Sequence, residues 1–171
     1  DEPLFESQTQ ATLRDDGCWH IDVRGLPPPQ PLVAILRQIE LHGHDGRPLV
    51  VVDYAHTPDA LEQALKTLRS HSQAKLFCVF GCGGDRDRGK RTMMGRVAER
   101  FSDHCIVTSD NPRSEDPRHI IDEVVSGMTA NNHEIIVDRA AAIERAIAMA
   151  RQSDTVLVAV ALAGGIGAAG Y

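Results

Sequence analysis

A glycine-rich, basic stretch near the middle of the chain has the residue types of an anion-binding turn. It spans residues 81–91 and reads Gly-Cys-Gly-Gly-Asp-Arg-Asp-Arg-Gly-Lys-Arg, between an apolar run and a helical pattern of apolar residues. Glycines let the backbone turn sharply and approach a ligand closely. Its cations are Arg86, Arg88, Lys90 and Arg91. Cations at the start of a helix are disfavoured by the positive end of the helix dipole, and a bound phosphate or carboxylate would explain their presence here. The alternative is a solvated basic turn.

A second loop with chemically capable side chains follows another apolar run, at residues 53–58. Asp53 can accept a hydrogen bond from a ribose hydroxyl, and Tyr54 can pack on a base. His56 can hydrogen-bond a nucleotide or a phosphate. These residue types favour a nucleotide site, and a capping turn with a solvent-facing histidine is the alternative.

A third loop offers a carboxylate, an amide and a guanidinium within four residues, Asp110 to Arg113. Arginine binds a carboxylate through two parallel hydrogen bonds, and an aspartate can take an ammonium group. Together Asp110 and Arg113 suit an amino acid. An ordinary turn stabilised by the Asp110 side chain, with an exposed arginine, is the alternative.

The elements around these loops alternate between strand and helix. Strands are predicted over 19–23, 49–52, 75–80, 105–108, 134–137 and 155–161, and helices begin at Pro58, after the glycine-rich turn, at Pro117 and at Ala140. The strands are apolar throughout, which predicts an α/β fold with a mostly parallel sheet covered by helices on both faces. Ligands bind at the carboxyl ends of such strands, so all three loops are expected at one edge.

Composition and charge indicate a globular chain. The 171 residues are 42% hydrophobic and 25% charged, with a formal net charge of -6, which disfavours a nucleic-acid partner. The sequence has no apolar stretch long enough to span a bilayer, and the acidic opening at Asp1 does not resemble a signal peptide. The four cysteines lack the spacing of a disulfide framework or a zinc site, which predicts a reducing, cytoplasmic setting.

The two ends of the chain are harder to interpret. Residues 1–46 hold the short strand at 19–23, a proline-rich linker at 26–31 and a helical pattern at 32–41, and do not look like a domain in themselves. Residues 165–170 match Gly-x-Gly-x-x-Gly. The dinucleotide-binding motif needs a following helix and a later acidic residue, so a flexible end is predicted rather than a nicotinamide site.

Three stretches together resemble the C-terminal domain of the Mur ligases, which build bacterial peptidoglycan precursors. They are Val51 to Glu62, Cys78 to Asp87 followed by Lys90 and Arg91, and Asp110 to Glu115. The match covers residues 47–159, and the third stretch is similar to the signature of the family member that adds meso-diaminopimelate. The resemblance implies a Rossmann-like fold, with the C-terminal domain over 47–171 and a remnant of a preceding, central domain and its linker over 1–46.

The resemblance further implies an ATP-dependent ligase that forms an amide bond through an acyl phosphate. Its substrates would be UDP-N-acetylmuramoyl-L-alanyl-D-glutamate and meso-diaminopimelate, with ATP and Mg2+ held mainly by a central domain. The positions that hold diaminopimelate in the family match Arg86, Asp110, Asn111 and Arg113. The positions that close over the nucleotide match Asp53, Tyr54 and His56, and we add Lys90 and Arg91 on the anionic side of that cleft.

Several parts of the family pattern are missing from these residues. They include a phosphate loop of Gly-x-x-Gly-Lys-Thr type, the lysine that is carboxylated to help hold magnesium, and the UDP-binding domain. After Val158 the family would show Gly-Lys-Gly-His-Glu, whose glutamate binds the substrate's ammonium group, and this chain does not. We therefore expect no catalytic residue, no metal site and no ligation by this chain alone. A free-standing amino-acid or nucleotide binding module without turnover is the alternative function.

Overall fold

A computed structural model of the chain describes residues 10–24, 26, 34, 35, 37, 45–72 and 74–160. Within this part, seven strands form one sheet in the order β1-β2-β3-β7-β4-β5-β6. The strands are β1 (Thr12–Leu13), β2 (Trp19–Asp22), β3 (Leu49–Asp53), β4 (Leu76–Phe80), β5 (His104–Val107), β6 (His133–Ile135) and β7 (Thr155–Ala159). The helices described by bounds are α1 (Pro58–His71), α2 (Gly89–Phe101), α3 (Pro117–Val125) and α4 (Arg139–Met149).

The sheet is parallel except at one edge, where β1 pairs with β2 in the antiparallel sense. The central strands β3, β7 and β4 are buried almost throughout because both faces of the sheet are covered. On β3, for example, Val51 enters one core and Val50 and Val52 enter the other. This arrangement confirms the predicted α/β fold with a mostly parallel sheet.

The helices divide between the two faces according to their apolar residues. The core on one face receives α1, α2 and α3 through Leu61, Leu65, Leu68, Met94, Ala98, Ile121 and Val124. The core on the other face receives α4 through Ala142, Ile143 and Ala146. Each fully buried leucine of α1 stabilises the fold by about 1.5–3 kcal/mol.

The starts of α1 and α3 are set by side-chain caps, as the sequence predicts. Thr57 Oγ1 accepts a hydrogen bond from the Ala60 amide at 3.2 Å, and Pro58 occupies the first turn of α1. Asp116 caps α3 in the same way, accepting from the Arg118 amide at 2.9 Å. A cap of this kind satisfies one of the amides that a helix start leaves without an internal partner. These two caps fix where the loops after β3 and β5 end and their helices begin.

The N-terminal part contributes to the same sheet. β2 runs parallel to β3, with Trp19 opposite Leu49 and Asp22 opposite Val52, which confirms the short strand predicted over 19–23. β1 was not anticipated, since its two residues are exposed and carry no apolar pattern. The domain boundary between residues 46 and 47 stays a prediction.

The remaining differences from the predicted elements are small. β6 ends at Ile135 rather than at residue 137, because the Val137 carbonyl accepts from Ser109 and Thr108 and Asp138 already caps α4. Of the helix predicted over 32–41, the described residues 34, 35 and 37 are helical. Most of the predicted linker at 26–31 and the glycine-rich residues 165–170 lie outside the described residues. No helix in the described part of the chain has the length and apolar character needed to cross a bilayer.

Candidate functional site

The three loops meet at the carboxyl edge of the sheet around a cavity of about 260 Å³. The loop after β3 contributes Tyr54 and His56, and the loop after β4 contributes Gly83 and Arg86. The loop after β5 contributes Asn111 and Arg113, and α2 contributes its first turn. The sequence-based expectation that these loops share one edge is therefore confirmed.

Glycine is required in the turn after β4 because that turn packs directly against the loop after β5. A Cβ on Gly84 would lie 1.8 Å from the Pro112 carbonyl oxygen, and one on Gly81 would lie 2.3 Å from the Thr108 carbonyl oxygen. The Gly84 amide also donates a hydrogen bond to the Asn111 carbonyl at 3.0 Å. The glycines thus bring the two loops into backbone contact.

Strained backbone is concentrated at this contact. Asp85, Asn111 and Arg113 have φ values of 52°, 49° and 51°, in the left-handed region that side chains other than glycine rarely adopt. Such conformations persist only where the surroundings hold them, and they cluster at ligand sites. Asp85 is held in part by the Ser114 hydroxyl, which donates to Asp85 Oδ1 at 2.6 Å.

Three cations line the cavity with their charge unmatched. Arg86, Lys90 and Arg113 are exposed. Within the described part of the chain, no hydrogen bond or ion pair engages any of their side chains. One exposed carboxylate, Asp87, also lines the cavity, and on a chain of net charge -6 the remaining local excess of positive charge favours an anionic ligand.

Arg91 differs from these cations because its charge is already matched. It is 1% exposed, and its guanidinium donates two hydrogen bonds to Glu115, at 2.7 and 2.9 Å, and one to Glu123 at 2.7 Å. The hydrogen bonds from Arg91 lower the pKa of Glu115 to about 2. Arg91 Nε, also buried, has no hydrogen-bond partner among the described residues. Arg91 therefore lines the cavity with its charge already paired, and the anion-binding role predicted for it from the sequence stays a prediction.

Asp110 is also paired within the protein. Its side chain is 2% exposed and does not line the cavity, and Oδ1 accepts a hydrogen bond from Arg139 Nη1 at 2.5 Å. Arg139 is the first residue of α4, and nothing in its sequence context singled it out. The structure thus brings Asn111 and Arg113 to the cavity wall and leaves Asp110 behind it, next to a cation. The predicted contact of Asp110 with a substrate ammonium group stays a prediction.

The loop after β3 places two rings side by side at the cavity wall. The Tyr54 and His56 ring centroids are 4.3 Å apart, and His56 Nδ1 lies 3.2 Å from the Tyr54 carbonyl oxygen. Tyr54 is 39% exposed, so its ring offers an aromatic face to a planar ligand. Asp53 does not line the cavity; it is half-buried, and burial raises the pKa of its carboxyl group.

The cysteine of the cavity wall is not an activated nucleophile. Cys82 lines it, but burial raises the pKa of this thiol to about 12, so it is protonated at neutral pH and is a poor nucleophile. Among the described residues, no group of three histidine, cysteine, aspartate or glutamate side chains could hold a metal ion. The cations and the aromatic pair suit a ligand that carries carboxylate or phosphate groups and a planar ring.

Comparison with known proteins gives close relatives among ligases. The chain is 51% identical over 150 residues to a UDP-N-acetylmuramoyl-L-alanyl-D-glutamate–2,6-diaminopimelate ligase of Xanthomonas oryzae pv. oryzae, covering 82% of this chain and 30% of that protein. It is 61% identical over 119 residues to the ligase of the same name from Chromobacterium violaceum, covering 68% of this chain and 24% of that protein. A solved structure of a ligase of this name is 48% identical and superposes with a TM-score of 0.63, over 66% of this chain and 23% of that one.

The chain therefore spans less than a third of the length of the curated relatives it matches. The family described as "Mur ligase, glutamate ligase domain" matches residues 38–162, which include the cavity and all three loops. That match covers most of the chain, and strands β3 to β7, the glycine-rich turn and the Asp110 to Arg113 loop lie within it. The chain belongs to the Mur ligase family and carries its glutamate ligase domain.

Proposed function

We propose that this chain is the amino-acid-binding part of an ATP-dependent ligase that adds meso-diaminopimelate to UDP-N-acetylmuramoyl-L-alanyl-D-glutamate. The observation that carries the proposal is the group of unmatched cations, Arg86, Lys90 and Arg113, at one cavity. Support also comes from the relatives, which are named for this reaction and are 51% and 61% identical. In peptidoglycan synthesis, this step would extend the peptide of the nucleotide precursor by one residue.

The chemistry of the amino acid explains why cations are needed. Diaminopimelate has an amino and a carboxylate group at each end, so one amine can react while the carboxylate at the other end is held. Arg113 can pair that carboxylate through two parallel hydrogen bonds, and Asn111 lies beside it on the cavity wall. Lysine lacks the second carboxylate, so this pairing selects diaminopimelate over lysine.

The nucleotide is assigned to the other side of the same cavity. Tyr54 and His56 offer an aromatic face and an imidazole, and Lys90 adds a positive charge on the first turn of α2. These groups fit a base and a phosphate, whereas the described residues do not provide a set of ligands for Mg2+. ATP supplies the phosphoryl group that converts the peptide carboxylate to an acyl phosphate, and attack by the amine gives the amide and inorganic phosphate. The residues of this chain bind and orient the amine for that attack.

The first test is calorimetric titration of the chain with meso-diaminopimelate and, separately, with L-lysine. We expect selective binding of diaminopimelate, weakened about 10- to 100-fold by Arg113→Ala, because hydrogen bonds between charged groups are lost. Arg96→Ala is the matched control, since Arg96 is an exposed arginine of α2 that does not line the cavity. Equal binding of the two amino acids would contradict the role of Arg113. Binding of neither would contradict an amino-acid site formed by this chain alone.

A further inference from the structure

The two loops that carry Arg86 and Arg113 are joined by an ion pair between a buried arginine and a half-buried glutamate. Arg91, on the first turn of α2, contacts Glu115 in the loop after β5 through two parallel hydrogen bonds, Nη1 to Oε2 and Nη2 to Oε1. Its Nη2 also donates to the Gly83 carbonyl at 3.3 Å, within the turn after β4. One guanidinium thus holds backbone from one loop and a side chain from the other.

Glu115 extends the connection to the residue next to Arg86. Its Oε1 also accepts a hydrogen bond from the Asp85 amide at 2.7 Å. Asp85 in turn accepts from the hydroxyl of Ser114 at 2.6 Å, and Ser114 directly follows Arg113. The neighbours of both cavity arginines are therefore held by the same set of contacts.

A further hydrogen bond from the Arg91 guanidinium ties these contacts to helix α3. Arg91 Nη1 donates to Glu123 at 2.7 Å, and Glu123 belongs to α3, which packs in the core shared with α1 and α2. Glu123 also accepts from Arg88, so two cations meet this carboxylate. The two loops are thereby attached to helices α2 and α3 as well as to one another.

The strained backbone shows that these loops need to be held. Asp85 and Arg113 both have positive φ, and neither is glycine. A conformation of this kind persists when surrounding contacts determine it. The Arg91–Glu115 pair supplies such contacts at Asp85, and the Asp85–Ser114 bond carries them to the residue after Arg113.

We propose that Arg91 and Glu115 are positioning residues that fix the relative placement of Arg86 and Arg113, and so set which spacing of carboxylates the cavity accepts. The ligand part of this inference rests on the function proposed above. The pair acts through the two exposed arginines, because the hydrogen bonds of the Arg91 guanidinium are directed to Glu115, Glu123 and the Gly83 carbonyl. An arginine–carboxylate pair with two parallel hydrogen bonds is suited to this task, because its hydrogen bonds are directional and its geometry is closely defined.

The test compares Glu115→Ala and Glu115→Gln with a matched control in the 171-residue chain. The control is Glu99→Ala, since Glu99 of α2 also joins two elements by accepting from the Thr129 and Ala130 amides, yet it does not line the cavity. In proteins verified as folded by circular dichroism, we expect Glu115→Ala to weaken binding of meso-diaminopimelate by about tenfold or more. Glu115→Gln should retain part of the binding affinity that Glu115→Ala loses, because the glutamine amide oxygen can still accept a hydrogen bond from the Asp85 backbone amide. Glu99→Ala should stay within about twofold of the unmodified chain.

A measurement without ligand separates failure of this inference from failure of the proposed function. Hydrogen exchange at the Asp85 amide should accelerate in Glu115→Ala and stay unchanged in Glu99→Ala. If the unmodified chain does not bind diaminopimelate, the proposed function fails for this chain, and the exchange result alone decides whether Glu115 holds the loop. Unchanged exchange at Asp85, or binding by Glu115→Ala equal to that of the unmodified chain, would overturn the positioning role.

Discussion

The arginines around the cavity differ in whether a carboxylate of the protein already pairs with them. Arg86 and Arg113 face the cavity with no partner in the described part of the chain, whereas Arg91, only five residues after Arg86, is enclosed by Glu115 and Glu123. A matched, buried charge fixes geometry, and an unmatched, exposed one attracts ligand. The same residue type therefore serves two purposes within one short stretch.

The Glu115 carboxylate gives the fold a specific dependence on pH. Its pKa is about 2 in the folded chain against an ordinary value of 4.5, chiefly because Arg91 donates hydrogen bonds to it. As the pH falls below 4.5 the unfolded chain takes up this proton first, so the stabilisation is complete above pH 4.5 and is lost toward pH 2. We expect Glu115→Gln to show a smaller decline in the free energy of unfolding between pH 5 and pH 3 than the unmodified chain.

Urea unfolding at a series of pH values measures this decline. Glu144→Gln is the control, because Glu144 is an exposed carboxylate of α4 away from the cavity. The control should follow the unmodified chain. An identical decline in Glu115→Gln and the unmodified chain would show that the ion pair with Arg91 does not contribute to acid sensitivity.

At the scale of elements, the site depends on how closely the turn after β4 approaches the loop after β5. We expect Gly84→Ala to destabilise the chain by about 1–3 kcal/mol, since its new Cβ would overlap the Pro112 carbonyl and force the loops apart. Gly83→Ala is the matched control, because the nearest atom to its Cβ would be Arg86 Cγ at 3.6 Å, an ordinary contact. Chemical denaturation compares the two, and equal stability would contradict the close-packing argument.

Much of the element structure was predictable because it depends on local pattern. Apolar strands such as Leu49–Asp53, and caps such as Thr57 followed by Pro58, act within a few residues and are visible in the sequence. The pairing of charges was not predictable in this way. Arg91 meets a glutamate 24 residues away and Asp110 meets an arginine 29 residues away, so only the folded chain distinguishes them from Lys90 and Arg113.

At the scale of the whole molecule, the proposed function gives this chain the amino-acid site and assigns ATP and Mg2+ mainly to another domain. We expect no ATP-dependent ligation when this chain is mixed with meso-diaminopimelate, UDP-N-acetylmuramoyl-L-alanyl-D-glutamate and ATP. The physical reason is that the described residues provide cations suited to carboxylates, whereas no group of three histidine, cysteine, aspartate or glutamate side chains among them could hold a metal ion for phosphoryl transfer. Release of inorganic phosphate together with the amide product, resolved by chromatography, would contradict this expectation.

The position of β7 has a consequence for how the chain is made. β7 lies between β3 and β4, although it is the last of the described strands along the sequence, and β3 and β4 are not neighbours in the sheet. Until β7 has been synthesised, β1–β3 and β4–β6 therefore lack the strand that joins them, and each group has a parallel edge without its partner. The sheet becomes continuous only when residues 155–159 have left the ribosome and inserted between them. The binding cavity, which draws its loops from both halves, is consequently among the last features of the nascent chain to form.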